Sequence, residues 1–160
     1  GLDHAINGAG GQVVRTPVGD KNVIDEMLRN GYNFGGEQSG HMIFGDYSTT
    51  GDGLVSALQI LKIMKTKQAL LSHLSRTWTR FPQLVTNLKV REKKPFEEID
   101  GVLSLVKQAE AEIKPSGGRV LLRYSGTEPK ARLLVEGRDR EVLERWTKKI
   151  IETIREHIGA

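Results

Sequence analysis

The chain has 160 residues, a formal net charge of +4, 38% hydrophobic and 28% charged residues, and no cysteine. That is the balance of a soluble globular protein of one domain or two small ones. It excludes a disulfide framework, a thiolate metal site and a cysteine nucleophile, and no apolar run reaches the roughly 20 residues of a membrane-spanning helix. The positive excess favours anionic partners. Aromatic residues make up only 6% and none are interleaved with basic ones as a stacking platform for nucleic acid, so small phosphorylated molecules are the better candidates.

Residues 3–9 read as a helix that stops at Gly10-Gly11, followed by a short strand over 12–16 centred on Val13 and Val14. The chain opens directly in helix-like sequence, which leads us to expect a piece of a longer polypeptide. Thr16-Pro17-Val18-Gly19-Asp20 is a turn, with Asp20 as N-cap of a helix running to Arg29. Val23 and Met27, with Ile24 and Leu28, form its apolar stripe, and Asn30-Gly31 ends it. Residues 32–35 and 42–44 read as extended, with a polar loop between them.

A long helix follows from Thr50 or Asp52. Leu54, Leu58, Leu61 and Met64 lie at helical spacing, widened by Val55 and Ile60, and predict its buried face. A further helical segment is expected over 67–78. Arg80-Phe81-Pro82 reads as a joint, because Pro82 cannot continue a helix. Beyond it come a strand (83–90), a helix (96–113), a Pro-Gly turn (114–118), a strand (119–124), a loop, a strand (132–137) and a helix (138–157). The last helix carries Leu143, Trp146, Ile150 and Ile154 on one side. This β-α-β-β-α order predicts an α+β domain, a small sheet with helices on one face.

Two segments concentrate chemistry. Arg123-Tyr124-Ser125-Gly126-Thr127-Glu128-Pro129-Lys130-Ala131-Arg132 places two guanidiniums, two hydroxyls and a glycine between strand-like flanks. Guanidinium forks give charge-assisted, bidentate hydrogen bonds to a phosphate ester. The Ser125 and Thr127 hydroxyls, and N–H groups freed by a turn at Gly126, can reach the remaining oxygens. A polar hairpin tip with surface arginines is the plainer reading. Gly35-Gly36-Glu37-Gln38-Ser39-Gly40-His41 is the second segment. Its glycines permit close backbone approach to a ligand. Glu37 and Ser39 would lie on one face of an extended stretch, facing a pair of sugar hydroxyls, and His41 could move a proton near neutral pH. The plainer reading is a tight turn with Glu37 solvated and His41 merely packed. Scattered acids and the histidines His4 and His73 show no metal-ligand spacing, so no metal site is expected on this chain.

Together the two segments, with Asp46-Tyr47-Ser48-Thr49-Thr50-Gly51-Asp52-Gly53 and Val135-Glu136-Gly137, resemble the C-terminal part of the α-D-phosphohexomutase family, in its glucosamine branch. The resemblance implies an incomplete third domain over 1–79, an α/β unit with a mixed sheet and helices, and the fourth domain over 82–160. It implies an isomerase of amino-sugar and cell-wall precursor metabolism in the cytoplasm, interconverting glucosamine 6-phosphate and glucosamine 1-phosphate through a bisphosphate intermediate and a phosphoserine. It assigns Glu37 and Ser39 to the sugar, His41 to acid/base help, and Arg123, Ser125, Gly126, Thr127 and Arg132 to the non-reacting phosphate. Thr16 to Asp20 would be a further substrate-facing turn. The phosphoserine loop and the aspartates for Mg²⁺ belong to N-terminal domains absent from this chain, which is therefore expected to bind phosphosugar weakly and to be inactive alone. The alternative from another class is a non-enzymatic anion-binding module that contacts nucleic acid or an acidic partner.

Overall fold

The computed structural model describes all 160 residues. The chain divides into two compact units: one made of Gly1–Gly11 and Trp78–Ala160, the other of Gln12–Thr77. The first eleven residues therefore pack with the C-terminal unit. Helix α1 (Leu2–Gly8) is tied there by side chains of that unit. His4 Nε2 lies 3.1 Å from Arg138 Nη2, and the Arg138 guanidinium sits 5.0 Å above the Phe81 ring.

In the Gln12–Thr77 unit, helix α2 (Asp20–Asn30) is capped by Gly19 at its start, not by Asp20, and ends on Gly31 in the left-handed conformation. Strands β1 (Phe34–Gly36) and β2 (Met42–Phe44) form an antiparallel hairpin with Gly36 opposite Met42. Its core is small: Val23, Met27 and Ile43, with Ile24 against them. Gly35 is required by that packing, since a Cβ there would lie 2.5 Å from Met27 Sδ and 2.7 Å from Val23 Cγ1. Helix α3 (Gly53–Lys67) is capped by the Asp52 carboxylate, which accepts from the Leu54 and Val55 N–H groups.

Three further expectations fail in this unit's helices and first strand. Residues 12–16 form no strand; β-branched residues favour pleated backbone only where a partner strand completes the ladder. The side that α3 buries carries Ser56, with Val55 and Ile60 half-buried, whereas Leu54, Leu58 and Leu61 stay 72%, 57% and 56% exposed. The helical reading of 67–78 shrinks to α4 (Leu71–Leu74), because Gln68 leaves the helix in the left-handed conformation at φ 49°.

The other unit is a three-stranded antiparallel sheet in the order β3 (Gln83–Lys89), β5 (Lys130–Glu136), β4 (Arg119–Tyr124). Helices α5 (Val102–Ile113) and α6 (Arg140–Ile158) cover one face. Alternation along β5 buries Ala131, Leu133 and Val135 completely against α6, whose Leu143, Ile150, Ile154 and Ile158 are at most 1% exposed. The single helix expected over 96–113 is instead a 3-10 turn (Phe96–Glu98) and α5, separated by Gly101 at φ 77°. The α+β class read from the element order holds, as does the α/β character of the first unit.

Candidate functional site

The hairpin of β4 and β5 presents the arginine-bearing loop. Arg123 and Arg132 are direct cross-strand partners, and Asn87 of β3 stands opposite Arg132 in the same row. Because successive strand residues alternate between faces, this row lies on the face away from the helices. Nine residues apart in sequence, the two half-buried arginines are therefore neighbours in the sheet at the mouth of the loop. The Arg132 Nε is buried with no hydrogen-bond partner, a donor the chain itself leaves unused.

The loop between the strands has a tight base and an open tip. The Ser125 N–H donates to the Lys130 carbonyl at 2.8 Å, and Ser125 is only 3% exposed. Gly126 and Thr127 are exposed, and their N–H groups take part in no backbone hydrogen bond. Gly126 has an ordinary negative φ, and a Cβ on it would meet nothing within 4 Å. Neither a positive φ nor packing within the chain demands glycine there, and the backbone at this position is open to close approach.

Charge is arranged tightly here. The Glu128 carboxylate bridges Lys130 Nζ at 2.5 Å and Arg132 Nη2 at 3.1 Å. The hydrogen bond from Lys130, with Arg132 behind it, holds the Glu128 carboxyl below its ordinary range. At the far end of the same sheet face, Glu136 accepts from Arg119 Nε at 2.9 Å, from Gln83 Nε2 at 3.1 Å and from the Gly1 nitrogen at 2.9 Å. Burial alone would raise its pKa; the bonds from Gly1 and Arg119 outweigh it and the net shift is downward.

Sequence reasoning missed Lys93. From the segment after β3, its ammonium donates to the Ser125 carbonyl at 2.6 Å and to the Gly126 carbonyl at 3.3 Å. The residues are 32 and 33 positions apart; the only local hint was a basic run beside a proline. Tyr124 also braces this segment, with its hydroxyl on the Lys94 carbonyl at 2.6 Å and its ring stacked on Phe96 at 4.2 Å. Burial raises the Tyr124 pKa, with Glu92 adding to it.

In the other unit, residues 37–41 are a turn, not an extended stretch. The Glu37 N–H donates to the His41 carbonyl at 2.9 Å and the Gly40 N–H to the Glu37 carbonyl at 3.1 Å, with Gly40 at φ 97°. The alternation that would align Glu37 with Ser39 therefore does not apply. Its glycines also have internal reasons: Gly36 abuts the His41 carbonyl, which a Cβ would approach to 2.9 Å, and Gly40 needs its positive φ. Ser39 and His41 are exposed, and Glu37 is half-buried. Glu37 Oε1 accepts the Gly19 N–H at 2.9 Å, which joins the Thr16–Asp20 turn to this one. No group of three His, Asp or Glu side chains is gathered as a metal ligand set.

A helix-backed antiparallel sheet that pairs two arginines across strands beside an exposed glycine-containing loop is suited chemically to an anion. The chain belongs to the phosphoglucomutase/phosphomannomutase family: the profile of the family's α/β/α domain III matches residues 1–81, and that of its C-terminal domain matches residues 85–153. Among curated relatives, the phosphoglucosamine mutases of Geobacter metallireducens and Pelobacter propionicus are 48% and 47% identical over 159 residues, 99% of this chain. The chain spans about a third of their length, 35% in each case. Of solved structures, an Aspergillus fumigatus N-acetylphosphoglucosamine mutase variant in complex with glucose 1,6-bisphosphate superposes with a TM-score of 0.76 at 17% identity, covering 98% of this chain and 36% of that one. An N-acetylglucosamine-phosphate mutase in its substrate complex gives 0.73 at 20% identity, covering 96% and 36%. These likenesses show a shared fold.

Proposed function

We propose that this chain is the C-terminal sugar- and phosphate-binding part of a phosphoglucosamine mutase, a cytoplasmic isomerase that interconverts glucosamine 6-phosphate and glucosamine 1-phosphate by way of a phosphoserine and a bisphosphate intermediate. The observation that carries this reading is the cross-strand pair Arg123–Arg132 beside an open, glycine-tipped loop. In such a reaction the protein contributes mostly positioning and electrostatic stabilisation. Arg123 and Arg132 bind the non-reacting phosphate through their forks, and Gly126 and Thr127 through their N–H groups. Ser125, buried at the loop base, orders that tip.

Glu37 and Ser39 read the sugar hydroxyls, and His41, exposed on the adjoining turn, moves a proton to or from them. The Thr16–Asp20 turn fixes the Glu37 carboxylate through Gly19. Residues 1–79 are assigned to the third domain and 82–160 to the fourth, a reading supported by family matches over 1–81 and 85–153. Mg²⁺, present in a relative solved with GlcNAc-6P and magnesium, would offset charge on the moving phosphoryl group. Its ligands and the phosphoserine lie in other parts of the longer polypeptide, so the present chain alone binds ligand without turning it over.

The test is a titration of the chain with glucosamine 6-phosphate and, separately, duplex DNA at two ionic strengths, followed by amide NMR. Saturable shifts at Gly126 and Thr127 with the sugar phosphate, abolished by Arg123→Ala, support the reading. DNA binding with a steep salt slope and no sugar-phosphate response would favour a general anion module. In the full-length enzyme, unchanged turnover on Arg123→Ala would end the assignment of this loop.

A further inference from the structure

We infer that Lys93 is a positioning residue for phosphate: it sets the direction of the two backbone N–H groups at the tip of the Ser125–Pro129 loop. This rests on the phosphate-ester reading of the loop given above. In a trans peptide the carbonyl of one residue and the N–H of the next point in opposite directions within one rigid unit, and every peptide bond of this chain is trans.

Lys93 Nζ binds the Ser125 carbonyl, whose plane holds the Gly126 N–H, and the Gly126 carbonyl, whose plane holds the Thr127 N–H. One ammonium therefore turns two successive N–H groups away from itself, toward the exposed side of the loop. Neither of these N–H groups has a backbone acceptor in the chain. The ammonium also polarises both peptide units, which strengthens whatever bond the opposite N–H makes. The unprotonated oxygens of a phosphate group are acceptors, so two parallel donors suit them.

The ammonium is delivered from a fixed support. Val90 N–H donates to the Pro129 carbonyl at 3.0 Å, Tyr124 Oη donates to the Lys94 carbonyl at 2.6 Å, and Phe96 stacks on Tyr124 with ring planes 9° apart. Segment 90–96 is thus fastened to the loop at both of its ends. Lys93 does not touch the ester; it acts through the backbone that does.

The experiment titrates inorganic phosphate and glucosamine 6-phosphate into the chain and into Lys93→Met and Lys93→Arg, at low and at about 0.5 M salt, following assigned amide shifts. Lys93→Met should lower affinity about tenfold and erase the ligand-induced shifts of the Gly126 and Thr127 amides. The loss should persist at high salt, where mere removal of a distant charge is screened. Lys93→Arg, which keeps donors for both carbonyls, should hold affinity within about threefold and keep the shifts. It decides the matter if the methionine variant does not fold. Wild-type shifts at both amides with an unaltered response in Lys93→Met overturn the role of Lys93 and leave the phosphate reading standing. No response of those amides in the wild-type chain overturns the phosphate reading itself. A loss in Lys93→Met that vanishes at high salt, or a Lys93→Arg chain without the shifts, also overturns positioning.

Discussion

Two glycines eight residues apart should respond to the same substitution in opposite ways. At Gly118 an added Cβ would fall 2.2 Å from Ile113 Cγ2, 2.3 Å from the Glu136 carbonyl oxygen and 3.0 Å from Gly137 Cα. The isoleucine could rotate, but Ile113 is itself only 2% exposed, and the carbonyl belongs to the end of β5. Relief requires backbone movement, so Gly118→Ala should cost about 3 kcal/mol, the top of the overpacking range, roughly a hundredfold in the folding constant. With a urea slope of about 1–3 kcal/mol/M, the midpoint should fall by about 1–3 M.

At Gly126 the same methyl meets open space at a negative φ. Gly126→Ala should then stabilise by about 0.4–1 kcal/mol through the unfolded chain, while weakening phosphate binding about tenfold because the methyl stands where the ester must approach. Urea unfolding by circular dichroism and phosphate titration by NMR on each variant provide the readouts. A Gly126→Ala chain that is destabilised by more than about 1 kcal/mol, or that binds phosphate as tightly as wild type, would refute the claim that this glycine serves a ligand and not the fold.

Ile154, fully buried in α6, should cost about 2–5 kcal/mol as Ile154→Ala, read as a lower urea midpoint with an unchanged slope. Glu136, whose folded pKa is depressed by Gly1 and Arg119 against the opposing effect of burial, gives the chain an acid sensitivity. Its stabilisation is fully present above the unfolded carboxyl value of about 4.3 and is lost as pH falls through the lower folded value. The urea midpoint should therefore drop on acidification below about 4.3, and less steeply in Glu136→Gln. Leu54, Leu58 and Leu61 form an exposed apolar stripe on α3, so light scattering should show concentration-dependent association that Leu58→Lys weakens; a monomer at every concentration would contradict this.

The helices with side-chain caps and the strand–loop–strand around the arginines were legible from local pattern alone, because each signal lies within a few residues. The start of α3, placed at Thr50 or Asp52, and the run Leu143, Trp146, Ile150, Ile154 are examples. The pairing of Arg123 with Arg132 was not legible, since both arginines could be seen in the loop segment but hairpin register could not. Lys93 was invisible for a related reason: its partners are carbonyls, which leave no mark on composition. The buried face of α3 was misjudged because nearly every side of it is apolar, so periodicity could not choose the side that holds Ser56. At residues 35–40 the glycines were read as making room for a ligand, yet Met27, the His41 carbonyl and a left-handed turn already explain them.

The C-terminal unit takes in Gly1–Gly11 and Trp78–Ala160, and α6, which covers its sheet together with α5, follows all three strands in the chain. On a ribosome moving at about 5–20 residues per second, β3, β4 and β5 would emerge about one to a few seconds before Ile150 and Ile154 arrive to help seal them. During that interval the nascent hairpin displays Leu133 and Val135 uncovered. The length of the final helix therefore sets a window of vulnerability to chaperone capture or aggregation, and any truncation that removes its last turns would leave that window permanently open.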